Sequence, residues 1–175
     1  TNAGNFSTDG GTIKLDGNYP TGTENTALGD TALDRVQAGG NYNVVLGSRA
    51  GTNITTGDNN VGVGAYALCD IQTNSQNVAI GTESLKKNTA SNNTAVGYIS
   101  LRCNTSGADN TSVGLCSLTA NTTGCRNVSV GKGSLVSNTI GQQNTSLGFA
   151  SMGDNTEGEF NTAIGSASLA DNTTA

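Results

Sequence analysis

Four cysteines, thirteen carboxylates and no histidine set the limits on chemistry in this chain. Without histidine, Ser-His and Cys-His nucleophilic pairs are excluded. The cysteines are Cys69, Cys103, Cys116 and Cys125. There is no Cys-x-x-Cys, and no spacing suits zinc. They read as four small, reduced side chains. A Cys116–Cys125 bridge is within reach in sequence but has nothing else to support it. Unpaired cysteines favour assembly in a reducing cytosol. Glu157 and Glu159 are close neighbours, yet paired carboxylates for glycoside cleavage need a cleft around them. Asp154 and Asp171 share a position in adjacent repeats, but the Gly-Gly-x-Gly-x-Asp signature of calcium-binding rolls is absent. Gly131-Lys132-Gly133-Ser134 lacks the order of a phosphate loop. The expectation is a chain that is not an enzyme, with no catalytic residue, metal or cofactor.

Binding chemistry is equally sparse. The eight basic residues are scattered and the net charge is −5. That leaves no electrostatic footprint for nucleic acid or an anionic membrane. No apolar run approaches the ~20 residues a membrane-spanning helix needs, so no membrane insertion is expected. Asn-x-Ser/Thr triplets such as Asn110-Thr111-Ser112 arise from a repeat and read as structural. Tyr98 and Phe149 present planar rings that could stack on sugars, although single exposed apolar residues are ordinary.

The residues are positioned by a repeat. Asn-x-small-aliphatic-Gly opens at Asn25, Asn43, Asn60, Asn77, Asn93, Asn110, Asn127, Asn144 and Asn161; subtracting neighbours gives steps of 18, 17, 17, 16, 17, 17, 17 and 17. A fixed short period over most of a chain marks a solenoid. Residues 1–24 precede it and read as a lead-in or cap, with a short strand at Thr12-Ile13-Lys14-Leu15. Residues 25–175 carry nine repeats, the last truncated in its loop, so the chain reads as a fragment of a longer one.

Counting from each opening asparagine, every place has a physical reading. Place four holds Leu28, Leu46, Val63, Ile80, Val96, Val113, Val130, Leu147 and Ile164. It is expected to be the inward residue of a short strand. Place nine supplies a second inward residue: Leu68, Leu85, Leu101, Leu118, Leu135 and Leu169. Together these form the expected structural core. Place five is always glycine: Gly29, Gly47, Gly64, Gly81, Gly97, Gly114, Gly131, Gly148 and Gly165. Glycine there permits a positive φ or a close backbone approach at a corner. Alanine or serine at place eight implies crowding. Asn60, Asn77, Asn93, Asn110, Asn127, Asn144 and Asn161, at place one, are expected to stack as an asparagine ladder. Large, variable residues at places six and seven suggest an outward face. A glycine in every unit argues against helical repeats.

The expected fold is therefore all-β: a repetitive parallel β-roll or β-solenoid with ~17-residue coils. Two buried aliphatics per coil fall short of the entropy lost in ordering a coil. Further burial is expected from other copies packed along the small-residue face, in an intertwined homo-oligomer.

The unit Asn-Thr-Ala-Val/Ile-Gly-x-x-Ser-Leu-x-x-Asn-Thr, clearest at Asn93–Thr105 and Asn161–Thr173, resembles the head repeats of trimeric autotransporter adhesins. It is more closely similar to repeats in tail-fibre proteins of marine bacteriophages, cyanophages above all. There a lead-in like Gly11-Thr12-Ile13-Lys14-Leu15-Asp16-Gly17-Asn18-Tyr19-Pro20 precedes repeats like Asn25-Thr26-Ala27-Leu28-Gly29. The resemblance covers nearly the whole chain. It implies a homotrimeric parallel β-roll, left-handed in the adhesin heads. The adhesin repeat is shorter, which implies a larger loop here at places thirteen to seventeen.

The function this implies is a structural segment of a viral tail fibre: a rigid shaft or spacer, with a role in host attachment. Its partners would be two further copies of itself, other virion tail or fibre segments, and a host surface glycan or protein. It would sit on the particle surface after assembly in the host cytoplasm. The alternatives are a bacterial trimeric adhesin head binding host or matrix ligands, and an ice-binding solenoid. The latter would want a regular threonine array, and only place thirteen offers a steady one.

Overall fold

The computed structural model describes residues 24–174. Apart from Glu24, the lead-in at 1–24 lies outside the described residues. All regular structure described is β-strand: β1 (Thr26–Leu28), β2 (Val44–Leu46), β3 (Val61–Val63), β4 (Val78–Ile80), β5 (Thr94–Val96), β6 (Thr111–Val113), β7 (Val128–Val130), β8 (Thr145–Leu147) and β9 (Thr162–Ile164). They form one parallel sheet in chain order. Each strand pairs in register, so Val113 lies opposite Val130 and Val130 opposite Leu147. The chain is a parallel β-solenoid with one strand per coil.

Between strands the backbone still bonds from coil to coil. Leu101 N–H donates to Ser117 C=O (3.1 Å), Thr105 to Thr122 (2.9 Å) and Cys116 to Tyr98 (3.1 Å). Those groups are thus satisfied without a helix or a second sheet. The turns carry an unusual backbone. Leu118 at place nine has φ +49°, Cys116 at place seven +58° and Arg126 at place seventeen +57°. Non-glycine residues seldom take these angles. Here inter-coil bonds on both sides of each turn hold them.

The place-nine leucines fill the interior. Leu33, Leu68, Leu85, Leu101, Leu118 and Leu135 are fully buried, as is Met152. Leu169, expected in the core, is instead exposed at 48% because no described coil covers it.

Place four needs a wider correction. The strand's inward residue is place three: Val45, Ala79, Ala95, Ser112, Ser129 and Ser146 are fully buried. Leu28, Leu46, Val63, Val96, Val113 and Val130 are half-buried on the outer side, and Ile80, Leu147 and Ile164 are exposed. The reason is room. In coil three, Leu68 reaches across the narrow coil onto place three, where its Cδ1 would stand 3.2 Å from a Cβ added at Gly62. Only a small side chain fits beneath it, and strand alternation turns its neighbours outward.

The small-residue columns are therefore inside. Ala50, Ala67, Ser84, Ser100, Ser117, Ser134 and Ser151 at place eight are fully buried within their own coil. They offer no face to another copy, contrary to the sequence expectation. Where the repeat loses its leucine, neighbours compensate. Gly51 occupies place nine of coil two, and Val45 Cγ1 and Ile54 Cδ1 stand 2.9 Å from where its Cβ would be.

Candidate functional site

The interior changes character along the axis. Place twelve is Val36, Ile54 and Ile71 in the first three coils, all buried. From Asn88 onward it is asparagine. Asn104 Nδ2 donates to Asn88 Oδ1 (2.6 Å), Asn121 to Asn104 (2.7 Å), Asn138 to Asn121 (2.8 Å) and Asn155 to Asn138 (2.8 Å).

The place-one asparagines stack beside this column. Asn60, Asn77, Asn110, Asn127 and Asn144 each donate a side-chain amide to the Oδ1 one coil back, at 3.1–3.2 Å. Asn93 and Asn161 donate their backbone N–H groups to Asn77 and Asn144 (3.0 Å). Both asparagines of a coil converge on one carbonyl: Asn110 Nδ2 and Asn121 Nδ2 each donate to Gly124 C=O at 2.9 Å.

A serine zigzag completes this interior, and sequence reasoning missed it. Ser100 Oγ donates to Ser112 Oγ (2.8 Å), Ser112 to Ser117 C=O (2.9 Å), Ser117 to Ser129 Oγ (2.7 Å) and Ser129 to Ser134 C=O (2.9 Å). The signal was serine appearing at places three and eight of the same repeats. These buried polar groups are partnered, as an interior of this kind requires.

The place-five glycines form a corner column. Gly29, Gly47, Gly64, Gly81, Gly97, Gly114, Gly131, Gly148 and Gly165 all have positive φ, from +122° to +144°. From Gly29 to Gly148 each also faces the carbonyl of the next corner glycine; a Cβ on Gly114 would stand 2.5 Å from Gly131 O.

Two outer surfaces remain as candidates for function. The first is the sheet's outer face, with threonine or valine at place two and an aliphatic at place four in every coil. In coils five to eight it is flanked at place six by Tyr98, Leu115, Lys132 and Phe149, where Lys132 Nζ lies 5.9 Å from the Phe149 ring centroid. Tyr98 and Phe149 are both more than half exposed.

The second is an edge formed by places seven, ten and eleven in coils one to five. It holds five of the eight basic residues: Arg35, Arg49, Lys86, Lys87 and Arg102. Glu83 accepts from Lys86 Nζ (2.8 Å) and pairs with Arg102 Nε (2.7 Å). The Lys86 hydrogen bond, with the Arg102 charge behind it, holds the Glu83 carboxyl below the usual carboxylate range. Partial burial opposes this without overcoming it. Arg49 and Lys86 lie 5.6 and 5.0 Å from the Tyr66 ring centroid. A groove of about 420 Å³ runs beside Arg49, lined by Thr31, Asp34, Arg35, Thr52, Asn53, Cys69 and Asp70. Burial, and then the Asp70 charge, push the Cys69 thiol up.

The four cysteines are free thiols. Among the described residues no three His, Cys, Asp or Glu side chains gather as a metal site, and no helix could cross a membrane. The place-thirteen threonines use their hydroxyl protons within the chain: Thr105, Thr122 and Thr139 each donate to the carbonyl one coil on, at 2.9–3.0 Å. They do not present the free hydroxyl array an ice surface would want. No family model, no curated protein and no solved structure matches this chain.

Proposed function

We propose that this chain is a rigid structural segment of a fibre, built as a homotrimer through the outer face of the sheet. The setting proposed is a viral tail fibre, carried on the particle surface after assembly in the host cytoplasm, next to other fibre segments. One observation carries the reading. The outward place-four column is aliphatic in all nine coils, from Leu28 to Ile164, and remains half-buried or exposed in the single chain. Beside it, place two is always threonine or valine. At ~4.8 Å per strand, nine coils make an apolar strip about 38 Å long. Apolar surface this continuous marks an interaction face.

Self-association suits this strip better than a varied partner does. A repeating column matches another copy of itself in register, and burying it supplies the stabilisation a lone coil lacks. The inter-coil bonding then gives the rod its stiffness, since bending must open backbone ladders and asparagine columns together. Covering the sheet face takes from water the apolar column that runs through every coil, as a shaft between other segments requires.

Light scattering combined with small-angle X-ray scattering tests this reading. Three times 17.5 kDa, in a particle elongated along the coil axis, is expected. A stable 17.5 kDa particle would remove the trimer and with it the fibre reading.

A further inference from the structure

The seven-ten-eleven edge differs between the two halves of the solenoid. In coils six to nine these places hold mostly small or uncharged residues, such as Gly133, Ala150, Thr119, Val136, Ala120 and Ser137. A spacer needs nothing more there. In coils one to three the same places hold Asp34-Arg35, Arg49 and Asp70, and these line the groove. Departures from a repeat that nothing in the packing demands point to function.

The groove's charged side chains are not committed to ion pairs. Among the described residues the ion pairs belong to Glu83, and Arg35, Arg49, Asp34 and Asp70 enter neither. Arg49 is steadied by the Tyr66 ring, 5.6 Å away. Thr52 is fixed by its hydroxyl donating to Thr31 C=O at 2.9 Å. Asn53 Nδ2 reaches Asp70 Oδ1 at 3.5 Å. Thr31 itself has φ +53° and a buried hydroxyl with no partner. That angle is shared by place seven of other coils, as at Arg49, Tyr66 and Cys116, so it belongs to the repeating turn rather than to the groove.

We infer that this groove binds a neutral saccharide. Its two guanidiniums and two carboxylates cancel in charge while offering both donors and acceptors. A sugar hydroxyl both donates and accepts, so a ring of them matches such a lining. An anionic ligand would meet Asp34 and Asp70, and a cationic one Arg35 and Arg49. The volume lies within the ~300–1,000 Å³ usual for small-ligand sites. No groove residue belongs to the place-two or place-four columns, so the site stays outside the trimer face. The inference rests on the fibre reading for its biological setting alone, where it supplies an attachment element.

Saturation-transfer NMR tests it, with the whole chain and, separately, glucose, galactose, mannose and their disaccharides as probes. N-acetylneuraminic acid and glucosamine serve as charged comparators. Transfer to at least one neutral sugar is expected, with at least a tenfold loss of affinity in the Arg49→Ala/Asp70→Asn double variant. If that variant shifts in mass or melting temperature, Asp34→Asn/Arg35→Gln, which changes two exposed side chains, should show the same loss. No transfer to any neutral sugar, undiminished transfer in the variants, or a preference for a charged sugar would each overturn the assignment. The sample's mass separates the two claims. A trimer that binds no neutral sugar ends this inference only, and a monomer that binds one ends only the fibre reading.

Discussion

Asn127 donates both its backbone N–H (3.0 Å) and its side-chain amide (3.2 Å) to the single Oδ1 of Asn110. Both residues are buried. Asn110→Ala would leave the Asn127 backbone N–H with no acceptor, its side-chain amide with Gly141 C=O alone, and Gly124 C=O with one donor fewer. A buried unsatisfied polar group costs ~1–3 kcal/mol. Urea unfolding should show Asn110→Ala at least about 2 kcal/mol less stable, whereas Thr123→Ala on the exposed loop should stay within ~0.5 kcal/mol. Equal effects would mean that the column contributes no net stability.

Two glycines in adjacent coils separate backbone angle from space. Gly114 (φ +136°) faces the Gly131 carbonyl, while Gly133 (φ +67°) has no atom within 4 Å of an added Cβ. Gly133→Ala should cost about 1 kcal/mol from its angle alone. Gly114→Ala must also push two coils apart, and should lose more than about 3 kcal/mol or fail to accumulate as folded protein. Thermal melts of the two variants decide this; similar melting temperatures would contradict the close corner stacking.

Thr31 combines a β-branch at positive φ with an unpartnered buried hydroxyl. Thr31→Gly removes both. An increase in stability of about 1 kcal/mol is expected by denaturant titration. A loss of that size would show that the hydroxyl has a partner in solution.

Acid should weaken the charged edge. Glu83 has its carboxyl held low by Lys86 and Arg102. A depressed carboxylate pKa stabilises the fold above the unfolded value, roughly 4.3, and that contribution is lost as pH falls below it. The pairs are partly exposed, so the effect is at most about 1 kcal/mol. Comparing the wild type with Glu83→Gln at pH 7 and pH 3 should show a difference only at pH 7.

Much of this architecture was legible because its signals are periodic. The leucine of place nine recurs with the period, and its burial follows. The strand's facing was not legible in the same way. Valine or threonine, then a small residue, then an aliphatic reads by hydrophobicity alone as an inward aliphatic. Leu68 lying over Gly62 shows why the small residue wins: the coil is too narrow for both. The serine zigzag was hidden because Ser112 and Ser117 look like turn composition until they are seen bonded across coils. Arg49 and Asp70 seem scattered in sequence, yet winding brings them to one groove.

The central claim is that the outward place-four column joins copies of the chain. Val113 and Val130, paired in register at the middle of that column, are its sharpest probes. Light scattering of the wild type and of a Val113→Asp/Val130→Asp variant tests it most directly. The wild type is expected at three times 17.5 kDa. Buried unpaired charge should drive the variant to the single-chain mass. A monomeric wild type, or a variant that remains trimeric, would contradict the claim.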